Sequence, residues 1–172
     1  TVTYNGKTAT FNVTVSEEQQ EGLTSWANKK VTYTYNGLKY FCIGFKNNPS
    51  FANGTISVNL SATINSGSFA TNNGGGVFSA ENDTMNNSGY KSEIGKIGTV
   101  TWTTEGTSLT MTASPTFNAN VTDNPYCKIA FPVSIGTAGS SFTINSIELK
   151  VNGNDVIITN IGGFFTNDYV DR

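Results

Sequence analysis

Residues 55–64 alternate without a break. Ile56, Val58, Leu60, Ala62 and Ile64 are apolar, and Thr55, Ser57, Asn59, Ser61 and Thr63 are polar. A period of two puts one set on each face of a strand, so the segment predicts a half-buried β-strand. The pattern recurs along the chain. Val100 and Trp102 share a face in 98–104, as do Leu109, Met111 and Ala113 in 108–113, with Glu105-Gly106 as the hairpin turn between them. Residues 128–135 place Ile129, Phe131, Val133 and Ile135 together. In 142–151 the phase slips, because Phe142 and Ile144 are followed by Ile147, Leu149 and Val151. One extra residue at Asn145-Ser146 predicts a β-bulge. Residues 152–155 then turn into a last strand over 156–161.

Asn-Gly pairs punctuate these runs, and Asn-Gly suits a type I′ turn, which needs positive φ at both central residues. Asn5-Gly6 predicts a hairpin pairing Tyr4 with Lys7 and Val2 with Ala9. Ala9, Phe11, Val13 and Val15 then share one face, which is expected to dock on the rest of the protein. Asn36-Gly37 predicts a second hairpin, pairing 30–35 with 38–45. It would put Val31, Tyr33, Tyr35, Leu38, Tyr40 and Cys42 on one face and Thr32, Thr34, Lys39, Phe41, Ile43 and Phe45 on the other. Residues 17–24 read as a solvated linker. Residues 65–92 are long, polar and Gly-rich, which marks a functional loop or irregular strands. No segment of ten residues carries a helical period with caps. The expected fold is all-β, an antiparallel β-sandwich of jelly-roll or immunoglobulin-like type. Its expected layout is a hairpin at 1–16, a linker at 17–24, the sandwich at 25–165 and a tail at 166–172.

Composition narrows the chemistry. Charged residues make up 13% of the 172, with a net charge of −2 and ten Lys plus Arg. That argues against nucleic acid and against anionic lipid as partners. No apolar run approaches the ~20 residues of a membrane span. Histidine is absent, which removes the commonest general base and zinc ligand and any Ser-His or Cys-His nucleophile. Cys42 and Cys127 both fall in β-like runs and read as buried thiols, with a disulfide as the alternative.

Glycoside hydrolysis needs two carboxyls facing each other across a bond. Glu81, Asp83, Glu93, Glu105, Asp123, Glu148 and Asp155 are the candidates, and nothing in the sequence pairs them, so the chain is expected not to be an enzyme. Glu81, Asp83 and Asp123 also offer hard oxygen ligands in loop-like text, which suits a structural calcium ion. The Gly74-Gly75-Gly76 run lacks the Lys-Ser/Thr of a phosphate loop. Aromatic rings remain. A neutral polysaccharide packs its C–H faces on rings and bonds its hydroxyls to amides and hydroxyls. Trp26, Tyr90 and Tyr126 lie in or beside polar text and are the candidate binding platform. Trp102 joins them only if its strand turns outward.

The stretch TVTYNGKTATFNVTV resembles the last two strands of a group 3 bacterial immunoglobulin-like repeat. Such repeats act as spacers in secreted or wall-attached proteins of Gram-positive bacteria. GTISVNLSATI, IGTVTWTTEGTSLTMTAS and SSFTINSIELKVNGNDVIITN resemble the non-catalytic carbohydrate-binding modules of gut and rumen Gram-positive anaerobes. The resemblance carries no ligand-binding residue over to this chain. It implies a monomeric piece of a multimodular, secreted or cell-surface protein, cellulosomal in type, that binds plant cell-wall polysaccharide such as cellulose or another β-glucan. The stretch VSIGTAGSSFTINSIEL is loosely similar to cohesins, so a protein-interaction, adhesin-type or structural module is the alternative.

Overall fold

The computed structural model describes residues 2–4, 7–9, 26–48, 51, 53–85, 90–117, 124–163 and 169–170. Its strands are β1 (Val2–Tyr4), β2 (Lys7–Ala9), β3 (Lys30–Tyr33), β4 (Gly37–Lys46), β5 (Gly54–Ser66), β6 (Phe69–Thr71), β7 (Gly76–Ala80), β8 (Tyr90–Lys96), β9 (Val100–Glu105), β10 (Ser108–Ala113), β11 (Thr116–Phe117), β12 (Tyr126–Ile135), β13 (Ser140–Val151), β14 (Asn154–Asp155), β15 (Ile158–Gly162) and β16 (Tyr169–Val170). The described residues contain no α-helix.

The chain folds as an antiparallel β-sandwich. One layer runs β9-β10-β5-β13-β3-β16, with β14 folded back on β13. The other runs β15-β4-β12-β7-β8-β11, and β6 pairs with the far end of β12. Strand β11 also pairs with the start of β5, through Thr116↔Thr55 and Phe117↔Gly54, and so links the layers along one seam.

Burial follows the alternation wherever a strand has one wet face. In β5, Ile56, Val58, Leu60 and Ala62 are buried, and the residues between them face out. The β9–β10 hairpin forms as expected. Gly106 supplies the positive φ (58°) at the first central position of its two-residue loop, as a type II′ turn requires. The bulge in β13 is also present, as a register shift between Ile144 and Ser146 against β5. Asn152 and Gly153, at φ 50° and 80°, close the β13–β14 hairpin in the type I′ manner. Inward residues of both layers merge into one core that includes Phe41, Phe45, Phe131, Phe142 and Trp102.

The hairpin expected at Asn36-Gly37 does not form. Strand β3 pairs with β13 and β16, and β4 pairs with β12 and β15. Gly37 alone of the two takes a left-handed φ, 90°, so the type I′ geometry is not reached and the chain crosses from one layer to the other. The crossing lets Val31 and Tyr33 face Phe41, Ile43 and Phe45 across the core, all buried. Pairing β3 with β4 in one layer would have forfeited that apolar burial, and burial outweighs a local turn preference. Tyr35 and Leu38, expected on the face shared with Val31, stand exposed at the corner.

Residues 65–92 contain β6, β7 and the start of β8. Strand β7 is buried along its whole length and so shows no alternation. Glycine explains how the chain reaches it. A Cβ at Gly75, which sits at φ 79°, would lie 2.1 Å from the Ala130 carbonyl oxygen of β12. The glycine run is a close backbone approach.

The N-terminal hairpin has the expected register, Val2↔Ala9 and Tyr4↔Lys7. It forms its own two-stranded sheet, and residues 10–25, with the expected docking face beyond Ala9, lie outside the described residues. Tyr169–Val170, within the stretch read as a tail, extends the edge at β3.

Cys42 and Cys127 are free and buried. They face opposite sides of the second layer, Cys127 in the main core and Cys42 in a smaller outer cluster with Phe78 and Ala130, so the disulfide alternative is not realised. Burial pushes the Cys127 thiol from 9.0 up to about 12. The stability carried by its neutral form is complete below pH 9.0 and is lost as pH rises toward 12. Iodoacetamide at mildly alkaline pH is therefore expected to leave Cys127 unmodified in the native protein and to label it once denaturant is added. Labelling of Cys127 at equal rates in both states would contradict the burial.

Candidate functional site

The outer side of the second layer carries a cleft of about 420 Å³ lined by Trp26, Lys29, Asp83, Thr84, Met85, Thr159 and Asn160. Three separate segments build it. The turn at Trp26–Asn28 is pinned to the other layer, since the Asn28 N–H donates to the Ile144 carbonyl (2.8 Å) and the Ile144 N–H to the Lys29 carbonyl (2.9 Å). The Trp26 ring packs against the core edge, and its Nε1 donates to the Ile158 carbonyl at 3.2 Å. This fixes the indole as one wall.

Strand β15 supplies the floor. Ile158 and Ile161 both face the core, so two residues stand between inward positions where alternation allows one. The register against β4 shifts between Ile158 and Asn160. A bulge of this kind re-aims side chains, and here it brings Thr159 and Asn160 to the cleft together. Asn160 is held rigidly. Its Nδ2 donates to the Asp83 carbonyl (2.9 Å), and its Oδ1 accepts from the Ile161 N–H (3.0 Å). Among the described residues, Thr159 Oγ1 is buried and has no hydrogen-bond partner. Leaving a buried hydroxyl unpaired costs roughly 1–3 kcal/mol, which a polar ligand group would relieve.

The loop over residues 81–85 forms the far wall. The Thr84 N–H donates to Asn82 Oδ1 at 3.1 Å, an Asx-type turn. Met85 reaches over Gly44, where an added Cβ would lie 2.7 Å from its Cε. Gly44 thus gives the methionine its seat.

The cleft brings together two of the residues singled out from sequence, Trp26 and Asp83, one expected to stack on a ligand and the other to hold a metal. The others lie elsewhere. Trp102 is 5% exposed. Its strand turns inward, its Nε1 donates to the Pro132 carbonyl (2.8 Å), and it belongs to the core and offers no platform. Tyr126 is half-buried on the outer face of β12, opposite Ala80 and Lys46. Tyr90 pairs through its backbone with the same Ala80. Glu81 is exposed and ion-paired with Lys91 at 2.7 Å. Asp123 lies outside the described residues. Glu93 bonds Lys96, and Glu148 and Asp155 flank Lys150 on the polar face of the first layer. Hydrogen bonds from Lys150 and Asn59 hold the Glu148 carboxyl below its ordinary value.

Among the described residues, no three of His, Cys, Asp and Glu gather as metal ligands. The calcium expectation therefore goes to a melting experiment, in which EDTA is expected to lower the transition only slightly. A large loss restored by calcium would establish the ion, and an unchanged melting temperature would remove it.

Comparison with protein-family models, with curated proteins and with solved structures finds no match.

A second concavity, about 430 Å³, lies on the polar face between Ser57, Asn59, Thr99, Thr101, Thr112 and Ser114. It offers hydroxyls without a ring. The Trp26 cleft combines an aromatic wall, a fixed amide, a carboxylate and an unsatisfied hydroxyl, which is the mixture a specific small-ligand site uses. Sequence reasoning missed Lys29, Thr84, Met85, Thr159 and Asn160. The signal for Thr159 was present, because Ile158 and Ile161 break alternation just as Ile144 and Ile147 do.

Proposed function

We propose that this domain binds a neutral polysaccharide of the β-glucan type, without catalysis, in the Trp26 cleft. The observation that carries the reading is the buried Thr159 hydroxyl, without a partner among the described residues, in a cleft walled by an indole. A sugar offers both an apolar C–H face for the ring and a hydroxyl for Thr159 Oγ1. Lys29, Asp83 and Thr84 line the same cleft and add polar groups suited to neighbouring sugar hydroxyls. The cleft volume of about 420 Å³ has room for one or two sugar rings of a longer chain. On this reading the domain targets a secreted or cell-surface, multimodular protein to its substrate.

Retention is tested by pull-down on insoluble glycans and by affinity electrophoresis in soluble ones. Contacts to uncharged hydroxyls owe little to long-range charge, so retention on β-glucan is expected to be nearly independent of salt. Absence of retention on every glycan in the panel would end the carbohydrate reading. The protein-interaction reading would then take its place, favoured by the exposed corner of Tyr35 (60%) and Leu38 (45%), where Lys39 sits over the Tyr35 ring.

A further inference from the structure

Lys128 stands near the middle of β12, opposite Gly44 of β4 and Phe78 of β7. Its side chain is 0% exposed, whereas every other lysine with a described side chain reaches solvent. It shares the outer face of the sheet with the apolar cluster of Cys42, Phe78 and Ala130, against which Tyr40 and Met85 pack. A lysine so placed is costly as a cation. Its Nζ lies 3.5 Å from Asn82 Oδ1. The same oxygen accepts the Thr84 N–H at 3.1 Å. The Asn82 amide carbonyl is thus polarised by a fixed backbone donor and faced by a buried amine. Asp83 is the next residue, and Cys42 and Asp83 both pull the lysine pKa upward, against the larger effect of burial. Burial lowers the lysine pKa, the direction that favours a nucleophilic amine.

We propose that Lys128 and Asn82 become joined by an intramolecular isopeptide bond, formed by the lysine amine and the asparagine side-chain amide with loss of ammonia. Lys128 Nζ first releases one proton to solvent. The neutral Nζ then adds to Cγ of Asn82, and the carbonyl oxygen takes the negative charge toward the Thr84 N–H, as in an oxyanion hole. Nζ passes its second proton to the amide nitrogen, the old C–N bond breaks, the carbonyl re-forms, and the departing ammonia takes a proton from solvent. Two protons leave Nζ in all, and two arrive on the departing nitrogen, which leaves as ammonium. No oxidant or cofactor enters. The product replaces a buried cation with a neutral amide, which removes the desolvation cost. It also ties the loop carrying Asp83, Thr84 and Met85 to the central strand of the sheet. The bond does not depend on what the cleft binds.

Intact mass of the unfolded wild-type chain is the test. The expected mass is lower than the sequence mass by one ammonia, and a tryptic digest is expected to yield a branched peptide linking residue 82 to residue 128. Asn-Gly pairs such as Asn36-Gly37 can also lose ammonia by closing to a succinimide. Hydroxylamine cleaves that ring and leaves an isopeptide intact, so the deficit is expected to survive hydroxylamine. Asn82→Leu and Lys128→Met are each expected to restore the full mass, a readout that does not require either variant to fold. The full sequence mass in the wild type would overturn the proposal. So would a deficit that hydroxylamine abolishes, or one that persists in Asn82→Leu.

Discussion

Trp102→Ala is expected to destabilise the domain by about 3–5 kcal/mol, a fall in melting temperature on the order of 10 °C for a chain of this size. The indole fills the centre of the sandwich. Its ring lies 6.3 Å from those of Phe41 and Phe142, edge-on to Phe41 at 87° and tilted by 49° to Phe142. Truncation empties that space. It also takes away the Nε1 donor to the Pro132 carbonyl of the opposite layer, a bond that ties β9 to β12 across the core. Neighbouring rings cannot close the gap, since each is held by its own strand register. Urea denaturation followed by fluorescence and circular dichroism measures the loss. A midpoint close to wild type would contradict the placement of Trp102 in the core.

Trp26→Ala is expected to weaken retention on β-glucan at least about 30-fold, equivalent to about 2 kcal/mol. The ring supplies the wide apolar wall of the cleft, and aromatic rings give large contact area at low entropic cost. The ring is also half-buried, and its Nε1 bonds the Ile158 carbonyl, so the same change should cost about 2 kcal/mol of stability. Unchanged retention would remove Trp26 from the site.

The two tryptophans show what the sequence did and did not disclose. Trp102 sits in strict alternation with Val100, which gave the face the two share but left open whether it turned inward, as the structure shows it does. The same rule recovered β5, the β9–β10 hairpin and the bulge after Ile144, because each of these strands has one wet face. It was blind to β7, whose residues are covered on both sides and separated from β6 by glycine. It also mistook Asn36-Gly37 for a hairpin, since a local turn signal carries no information on which layer the next strand will join. Trp26 precedes its strand, so no period applied to it. Its partners Asp83, Thr159 and Asn160 come from positions far along the chain, and only the pairing of β15 with β4 and the fold of the 81–85 loop assemble them. Lys128 was passed over inside the apolar run 127–133, where its polarity was the clue.

The glycan reading is tested most directly at Thr159, because the structural and functional effects there have opposite signs. Valine keeps the shape of threonine and removes the unpaired hydroxyl. Thr159→Val is expected to raise stability by about 1 kcal/mol and to lower affinity for soluble β-glucan about 10-fold, as read by calorimetric titration beside a melting curve. A more stable protein that binds the glycan with wild-type affinity would contradict the account.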